Sequence, residues 1–223
     1  MIFVEKTVQK DLFESDKDTS ETIGYIAGEK LDPLCSEERA YEYFCDIADT
    51  LIGAPIAAVA RFEAPHPERS SLFRSRIRAI YRASVWGQFS LLCEGISTPD
   101  ELTECSSILK EVFCELEGEG REFNGFIEKG ICIDTPMILY NTPHHPRFDF
   151  FCFDFKKLLY LCTGIRDSTV GANALASYII KICASSRERE IAIKAYTNNE
   201  LQEISEALYP INIKKRFFFS GND

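Results

Sequence analysis

The spacing of apolar residues along the chain changes between two periods, and this change separates predicted helices from predicted strands. Over 36–51 the apolar residues recur at steps of three and four, which predicts a helix with Ser36 at its N-cap. Another helix is predicted after Thr98, because Pro99 suits a first helical position and Glu101 completes a capping box.

Strands are predicted where apolar residues alternate with polar ones or form short uninterrupted runs. In the segment 76–82, Ile77, Ala79 and Tyr81 alternate with arginines, which is the period of a half-buried strand. The run over 85–93 lacks polar alternation and predicts a strand buried on both faces. The remaining strands are predicted over 56–63, 123–133, 137–140, 158–162, 191–196 and 214–219, and the remaining helices from Ser168 and over 200–208.

Strands that alternate with helices through short links predict an α/β or α+β layered fold. The chain has 223 residues, of which 45% are hydrophobic, so it is long and apolar enough to build a core. Its formal net charge of −10 disfavours nucleic acids and anionic membranes as partners, because both are polyanions. No apolar run reaches the roughly 18 residues that a membrane span needs.

The nine cysteines are widely spaced, include no C-x-x-C pair, and lie mostly among apolar residues. Disulfide frameworks and zinc sites need clustered ligands, so we expect reduced core thiols and no metal site. The N-terminal residues carry charges where the apolar part of a secretion signal would lie. These features predict a soluble cytoplasmic protein.

Three stretches of the chain follow one another in an order that resembles the GNAT superfamily of N-acyltransferases. They are V-W-G-Q-F-S-L-L-C-E at 85–94, G-I-C-I-D-T-P-M-I-L-Y-N-T-P-H-H-P at 130–146 and F-K-K-L-L-Y-L at 155–161. The resemblance implies a twisted mixed sheet flanked by helices, whose splayed central strands admit acetyl-CoA or another acyl-CoA. It also implies a GNAT-like domain over 1–165. Residues 166–223 then form a helix–strand–helix extension that packs on this domain or completes its sheet.

The junction before the Thr98 helix, E-G-I-S-T-P-D-E at 94–101, departs from the glycine-rich phosphate turn of active GNAT enzymes. It contains one glycine, and Pro99 has no amide hydrogen to donate. Asp100 and Glu101 place negative charge where a diphosphate would bind. We therefore expect this junction not to bind CoA.

A second alignment with the same family places the phosphate turn later, at 165–174, after a strand over 158–162. In this alignment the cofactor-binding residues are Arg166, Gly171, Ala172 and Asn173. Tyr209 takes the position of the general-acid tyrosine that many family members have. Alternatively, Gly171 is only a small residue that lets two helices pack closely.

Asn141, His144 and His145 form the cluster with the richest chemistry, among prolines that restrict the backbone. An imidazole titrates near neutral pH, so one histidine is a candidate general base for removing a proton from an amine. Alternatively, both histidines are loop residues that hydrogen-bond to nearby backbone.

A row of arginines stands out in this acidic chain, and it consists of Arg74, Arg76, Arg78 and Arg82. The row either attracts an acidic ligand, such as the 3′-phosphate of CoA, or is the solvated face of a strand. The phenylalanines at 217–219 cannot all face one side of a strand. We therefore expect another chain to pair with that strand. The other chain is either a partner protein or a second subunit, and a second subunit would make a homodimer.

Three functions are compatible with these features. The poor phosphate turn favours a catalytically silent GNAT-like protein that acts as a binding or regulatory module. The alternatives are an active N-acetyltransferase that acylates a small-molecule amine, and an acidic inhibitor or immunity-type protein that binds a basic partner. Whether the chain is an enzyme stays open at this stage.

Overall fold

The computed structural model of the chain describes residues 21–62, 67–141, 148–164, 171, 173–179, 190–196, 204 and 215–219. In these residues, seven parallel strands pair in chain order, and the last strand pairs with the first to close a barrel. The strands are β1 Glu21–Ala27, β2 Ile56–Arg61, β3 Phe89–Glu94, β4 Lys129–Ile133, β5 Phe150–Asp154, β6 Glu190–Ala195 and β7 Lys215–Phe219.

Helices connect the first strands and cover the outside of the barrel, as parallel pairing requires. They are α1 Glu37–Thr50, α2 Pro67–Ala83, α3 Pro99–Glu119, α4 Pro136–Asn141 and α5 Phe155–Thr163, and residues 173–179 are also helical. The predicted cap of α1 by Ser36 is confirmed, and so is the capping box between Thr98 and Glu101. Gly120 ends α3 in the left-handed conformation that glycine adopts without strain.

Alternate strand residues point to two different cores. The outward set, which includes Ala58, Leu91 and Phe151, packs with the helices in one large cluster. The inward set fills the barrel itself and comprises Ala57, Val59, Leu92, Cys132, Phe150, Cys152 and Ala192. The Phe150 ring lies so close to Gly130 that an added Cβ there would be 2.2 Å from it. The barrel interior is therefore a packed core rather than a pore.

The predicted GNAT-like mixed sheet is wrong, because each strand pair is parallel and the sheet closes on itself. The predicted strands over 76–82, 137–140 and 158–162 lie in the helices α2, α4 and α5. In α2 the apolar Ile80, which interrupts the apparent alternation, is buried together with Ile77 on the helix face that meets the core. The short alternating pattern therefore hid a helical one.

Two strands come from the C-terminal part of the chain, as predicted for 191–196 and 214–219. β7 uses both edges within the barrel, pairing with β6 on one side and β1 on the other. A domain boundary at residue 165 and a homodimer remain predictions. In the part of the chain that the structure describes, each helix is too short or too polar to cross a bilayer.

Candidate ligand site at the barrel mouth

The inward-facing positions of the strands change from apolar to polar at their carboxyl ends. Arg61 follows Val59 on the inward side of β2, and Lys194 follows Ala192 on that of β6. Because all strands are parallel, their carboxyl ends meet at one rim, where barrels of this type bind their ligands. We call this rim the mouth, and its polar residues are Glu29, Arg61, Glu94, Asp134, Asp154, Lys157, Lys194 and Tyr196.

Lys194 lies at the centre of the charges of the mouth and is only 5% exposed. Its Nζ donates to Glu94 Oε1 at 2.9 Å and to a carboxylate oxygen of Glu29. Burial by itself would lower the pKa of Lys194, but the negative charges of Glu94 and Glu29 outweigh it and raise the pKa. The ammonium therefore stays charged, and it acts as an internal counter-ion rather than as a base.

The other acidic side chains of the mouth also have donors. The Tyr196 hydroxyl donates to Asp154 Oδ2 at 2.6 Å. Burial raises the pKa of Tyr196, and this hydrogen bond raises it further. Asp154 also caps α5, because its other oxygen accepts the Lys157 backbone N–H at 3.0 Å. The Lys157 ammonium donates to Asp134 Oδ2 at 2.5 Å.

Arg61 is the cation of the mouth most open to solvent, with 53% of its side chain exposed. Its Nη2 lies 3.3 Å from Glu94 Oε2, a long contact to a carboxylate that already accepts from Lys194. Beside Arg61 a small cavity of about 50 Å³ extends under the loop between β1 and α1. Arg76 of α2 lines the same cavity and is buried, with an exposed fraction of 8%.

The remaining arginines of the predicted row lie on the outer side of α2. Arg74, Arg78 and Arg82 each donate to glutamates of α1 or α3. The carboxylates involved are Glu37, Glu38, Glu111, Glu115 and Glu119. We call these residues the outer network. Its arginines thus join three helices and form neither the solvated face of a strand nor a CoA site.

The residues predicted as catalytic or cofactor-binding do not lie in the described part of the mouth. Asn141 is the last residue of α4, and its side-chain amide donates to the Met137 carbonyl at 2.8 Å. Gly171 and Asn173 are helical. The other five predicted residues lie outside the described residues: His144, His145, Arg166, Ala172 and Tyr209. Their roles remain predictions.

Sequence reasoning missed Arg61, Glu94, Asp154 and Lys194 as site residues. A usable signal was present, because each one ends or nearly ends a buried strand and shares the inward parity of its apolar neighbours. In a parallel α/β fold, polar residues in that position point to a ligand site. The mixed sheet expected for a GNAT protein has no such common rim, so this signal went unused.

Comparison with protein families finds a match between residues 61–164 and the family described as "PEP-utilising enzyme, PEP-binding domain". The matched segment, just under half of the chain, begins at Arg61 and ends after α5. It therefore contains four of the polar residues at the strand ends, namely Arg61, Glu94, Asp134 and Asp154.

Curated proteins with similar sequences include phosphoenolpyruvate-protein phosphotransferases. A phosphoenolpyruvate-protein phosphotransferase of Haemophilus influenzae is 28% identical over 115 residues, which are 52% of this chain and 17% of that protein. The corresponding enzyme of Priestia megaterium is 35% identical over 69 residues, or 31% of this chain and 12% of that protein. The chain thus spans less than a fifth of the length of these relatives.

Among solved structures, a citrate lyase from Burkholderia xenovorans superimposes with a TM-score of 0.58 and 13% identity. The superposition covers 81% of this chain and 60% of that structure. At this identity the likeness establishes the fold alone, and it agrees with the parallel barrel described above.

These matches overturn the GNAT assignment, and with it the functions and the acetyl-CoA or acyl-CoA cofactor inferred from the resemblance. The acidic inhibitor or immunity-type interpretation is overturned as well. The error has a physical origin. A buried strand, a capped helix and another buried strand occur in the same order in both folds, but nothing in such local segments specifies which strands become neighbours.

Enzymes that use phosphoenolpyruvate typically also take Mg²⁺, which prefers several oxygen ligands around an octahedron. The mouth does not fit this ion. The carboxylates of Glu29, Glu94, Asp134 and Asp154 each accept from a lysine, arginine or tyrosine. One oxygen, Asp134 Oδ1, is buried without a partner among the described residues, and no group of three ligating side chains occurs there.

Proposed function

We propose that this chain is a barrel domain related to the PEP-binding domain and that its mouth binds phosphoenolpyruvate or a small acid of the same chemistry. The observation that carries the proposal is the family match over 61–164, because this segment supplies Arg61, Glu94, Asp134 and Asp154 to a single rim. Ligands of parallel barrels bind at that rim.

Arg61 is the residue best suited to hold such a ligand. A guanidinium presents a planar fork of donors that matches carboxylate and phosphate oxygens. Arg61 is half exposed, and Glu94, its one partner among the described residues, is neutralised at closer range by Lys194. Arg61 is therefore able to turn towards an anion without leaving a buried carboxylate unpaired.

Lysine ammonium groups already pair with most of the mouth carboxylates that could bind a divalent cation. Lys194 lies between Glu29 and Glu94, and Lys157 lies on Asp134. We therefore propose binding that does not require a divalent metal. The negative charge of the ligand would be met by the side chains of the protein.

Isothermal titration of the chain with phosphoenolpyruvate tests this function. We expect saturable binding to the unmodified protein and at least about tenfold weaker binding to Arg61→Gln, roughly the effect of losing one charge-assisted contact. Arg121→Gln is the matched control, because Arg121 is a half-exposed arginine that pairs with Glu38 and Glu119 on the outer helices. Equal affinity of the Arg61 variant and the control would contradict the proposed role of Arg61. Absence of binding to the unmodified protein would contradict the function.

We also infer that the protein works in the cytoplasm. The cysteines in the described part of the chain are all free, including the exposed Cys114 and Cys162. Exposed free thiols persist in a reducing compartment.

A further inference from the structure

Arg76 differs from its neighbours on α2 because it faces the protein interior. It is only 8% exposed, and its Nη2 donates to the Asp32 carbonyl at 3.0 Å and contacts Cys35 Sγ at 3.5 Å. Its other terminal nitrogen, Nη1, is buried and has no hydrogen-bond partner among the described residues. A buried guanidinium with an unmet donor is uncommon, because such groups are normally fully hydrogen-bonded.

The cavity beside Arg76 is large enough for a small ligand group. Its volume of about 50 Å³ is several times the ~10–15 Å³ that one water needs. Its lining includes Gly28, Glu29, Arg61, Leu72, Phe73 and Arg76. Two guanidinium groups therefore face one small space, and the single carboxylate among these residues, Glu29, is bonded to Lys194.

The chemistry of this cavity selects an anion. Burial lowers the pKa of Arg76, yet an arginine stays protonated in proteins, so the cavity always contains a cation. A neutral ligand would leave this charge uncompensated. A carboxylate or phosphate oxygen would accept from Nη1 and neutralise the guanidinium in the same contact.

We propose that the cavity is an oxyanion subsite in which Arg76 Nη1 and Arg61 together bind one carboxylate or phosphate group. The group either belongs to the ligand at the mouth, since Arg61 borders both places, or comes from free inorganic phosphate. The subsite assigns a role to Arg76 and does not require that the mouth ligand be phosphoenolpyruvate.

Titrations of inorganic phosphate and of phosphoenolpyruvate into the unmodified protein and into Arg76→Gln test the subsite. We expect Arg76→Gln to weaken the binding of at least one of these probes by about tenfold or more. Arg82→Gln is the control, because it removes the same charge from the same helix at a position paired with Glu37 and Glu38. Equal affinities in both variants, or no binding of either probe to the unmodified protein, would overturn the subsite.

A second variant keeps the test decisive if Arg76→Gln does not fold. Leu72→Trp fills the cavity from α2 and leaves Arg76 in place, so it should block the subsite without removing the charge. Side-chain NMR of the arginines in the unmodified protein should also show the Arg76 signals shifting saturably with the probe. Static Arg76 signals during titration with both probes would contradict the proposal.

The outcomes separate this proposal from the proposed function. If phosphate binds through Arg76 and phosphoenolpyruvate does not bind, the subsite stands and the proposed function fails. If phosphoenolpyruvate binds equally well to Arg76→Gln and Leu72→Trp while phosphate does not bind, the subsite fails and the function stands. If phosphoenolpyruvate binds and displaces phosphate, the anionic group belongs to the mouth ligand.

Discussion

Two charged networks, one outside the barrel and one at its mouth, are built from the same residue types but in different surroundings. In the outer network the glutamate side chains are 21–62% exposed, so water and salt screen each pair. At the mouth, the side chains of Lys194 and Glu94 are each 6% exposed. Buried charges lose their hydration, and they are tolerated only while every partner is present. The mouth network is therefore weak evidence of stability, and it fits the ligand binding that we propose.

The largest expected effect comes from removing the central cation of the mouth. Lys194→Met removes the ammonium that lies between Glu29 and the buried Glu94, and we expect a loss of about 3–5 kcal/mol in the free energy of unfolding. Arg121→Met is the control, because Arg121 is 45% exposed and pairs with the exposed Glu38 and Glu119 of the outer network, so its loss should cost less than about 1 kcal/mol. Urea unfolding measures both. Similar small losses in the two variants would remove the distinction between the networks.

A smaller effect should separate two arginines on opposite faces of α2. Arg78 donates to Glu37, Glu115 and Glu119, so Arg78→Leu should destabilise the protein by about 1–3 kcal/mol. Arg76→Leu should leave the ligand-free protein within about 1 kcal/mol of the unmodified one, because it removes a buried, incompletely bonded charge. The same urea experiment compares them. A larger loss for Arg76→Leu than for Arg78→Leu would show that Arg76 is a structural anchor.

Sequence patterns predicted the elements whose signals are local. The Ser36 cap, the Thr98–Glu101 capping box and the strands β2, β3, β6 and β7 follow from spacing and turn chemistry within a few residues. The prediction failed for α2, where Ile77, Ala79 and Tyr81 suggested a strand while Arg74, Arg78 and Arg82 recur at every fourth position. Both periods are present in that segment, and tertiary packing against α1 and α3 decides between them.

The site could not be predicted because it depends on strand order. Lys194 and Glu94 are a hundred residues apart in the chain and meet because the sheet closes into a barrel. Glu29 joins them from the end of the first strand. No spacing rule links these positions. The alternation of residues along each strand does predict that the side chains of Glu94 and Lys194 point inward.

The smallest expected effect is the response of the outer network to acid. A hydrogen bond from Arg82 lowers the pKa of Glu38, and its charge adds to the shift. A carboxyl group with a lowered pKa contributes stability that is present above its unfolded-state pKa and is lost as the pH falls through its folded-state pKa. Arg82→Gln should therefore lose less thermal stability than the unmodified protein between about pH 5 and about pH 3. An equal or steeper loss in the variant would contradict this linkage.

The affinity for phosphoenolpyruvate, measured in buffer with EDTA and in buffer with excess Mg²⁺, tests whether the mouth binds this ligand without a metal ion. Lysines occupy the carboxylates that a metal would need, and Arg61 faces the open rim. We expect saturable binding in EDTA with an affinity that Mg²⁺ changes by less than about threefold. Binding that occurs only when Mg²⁺ is added, or no binding under either condition, would contradict it.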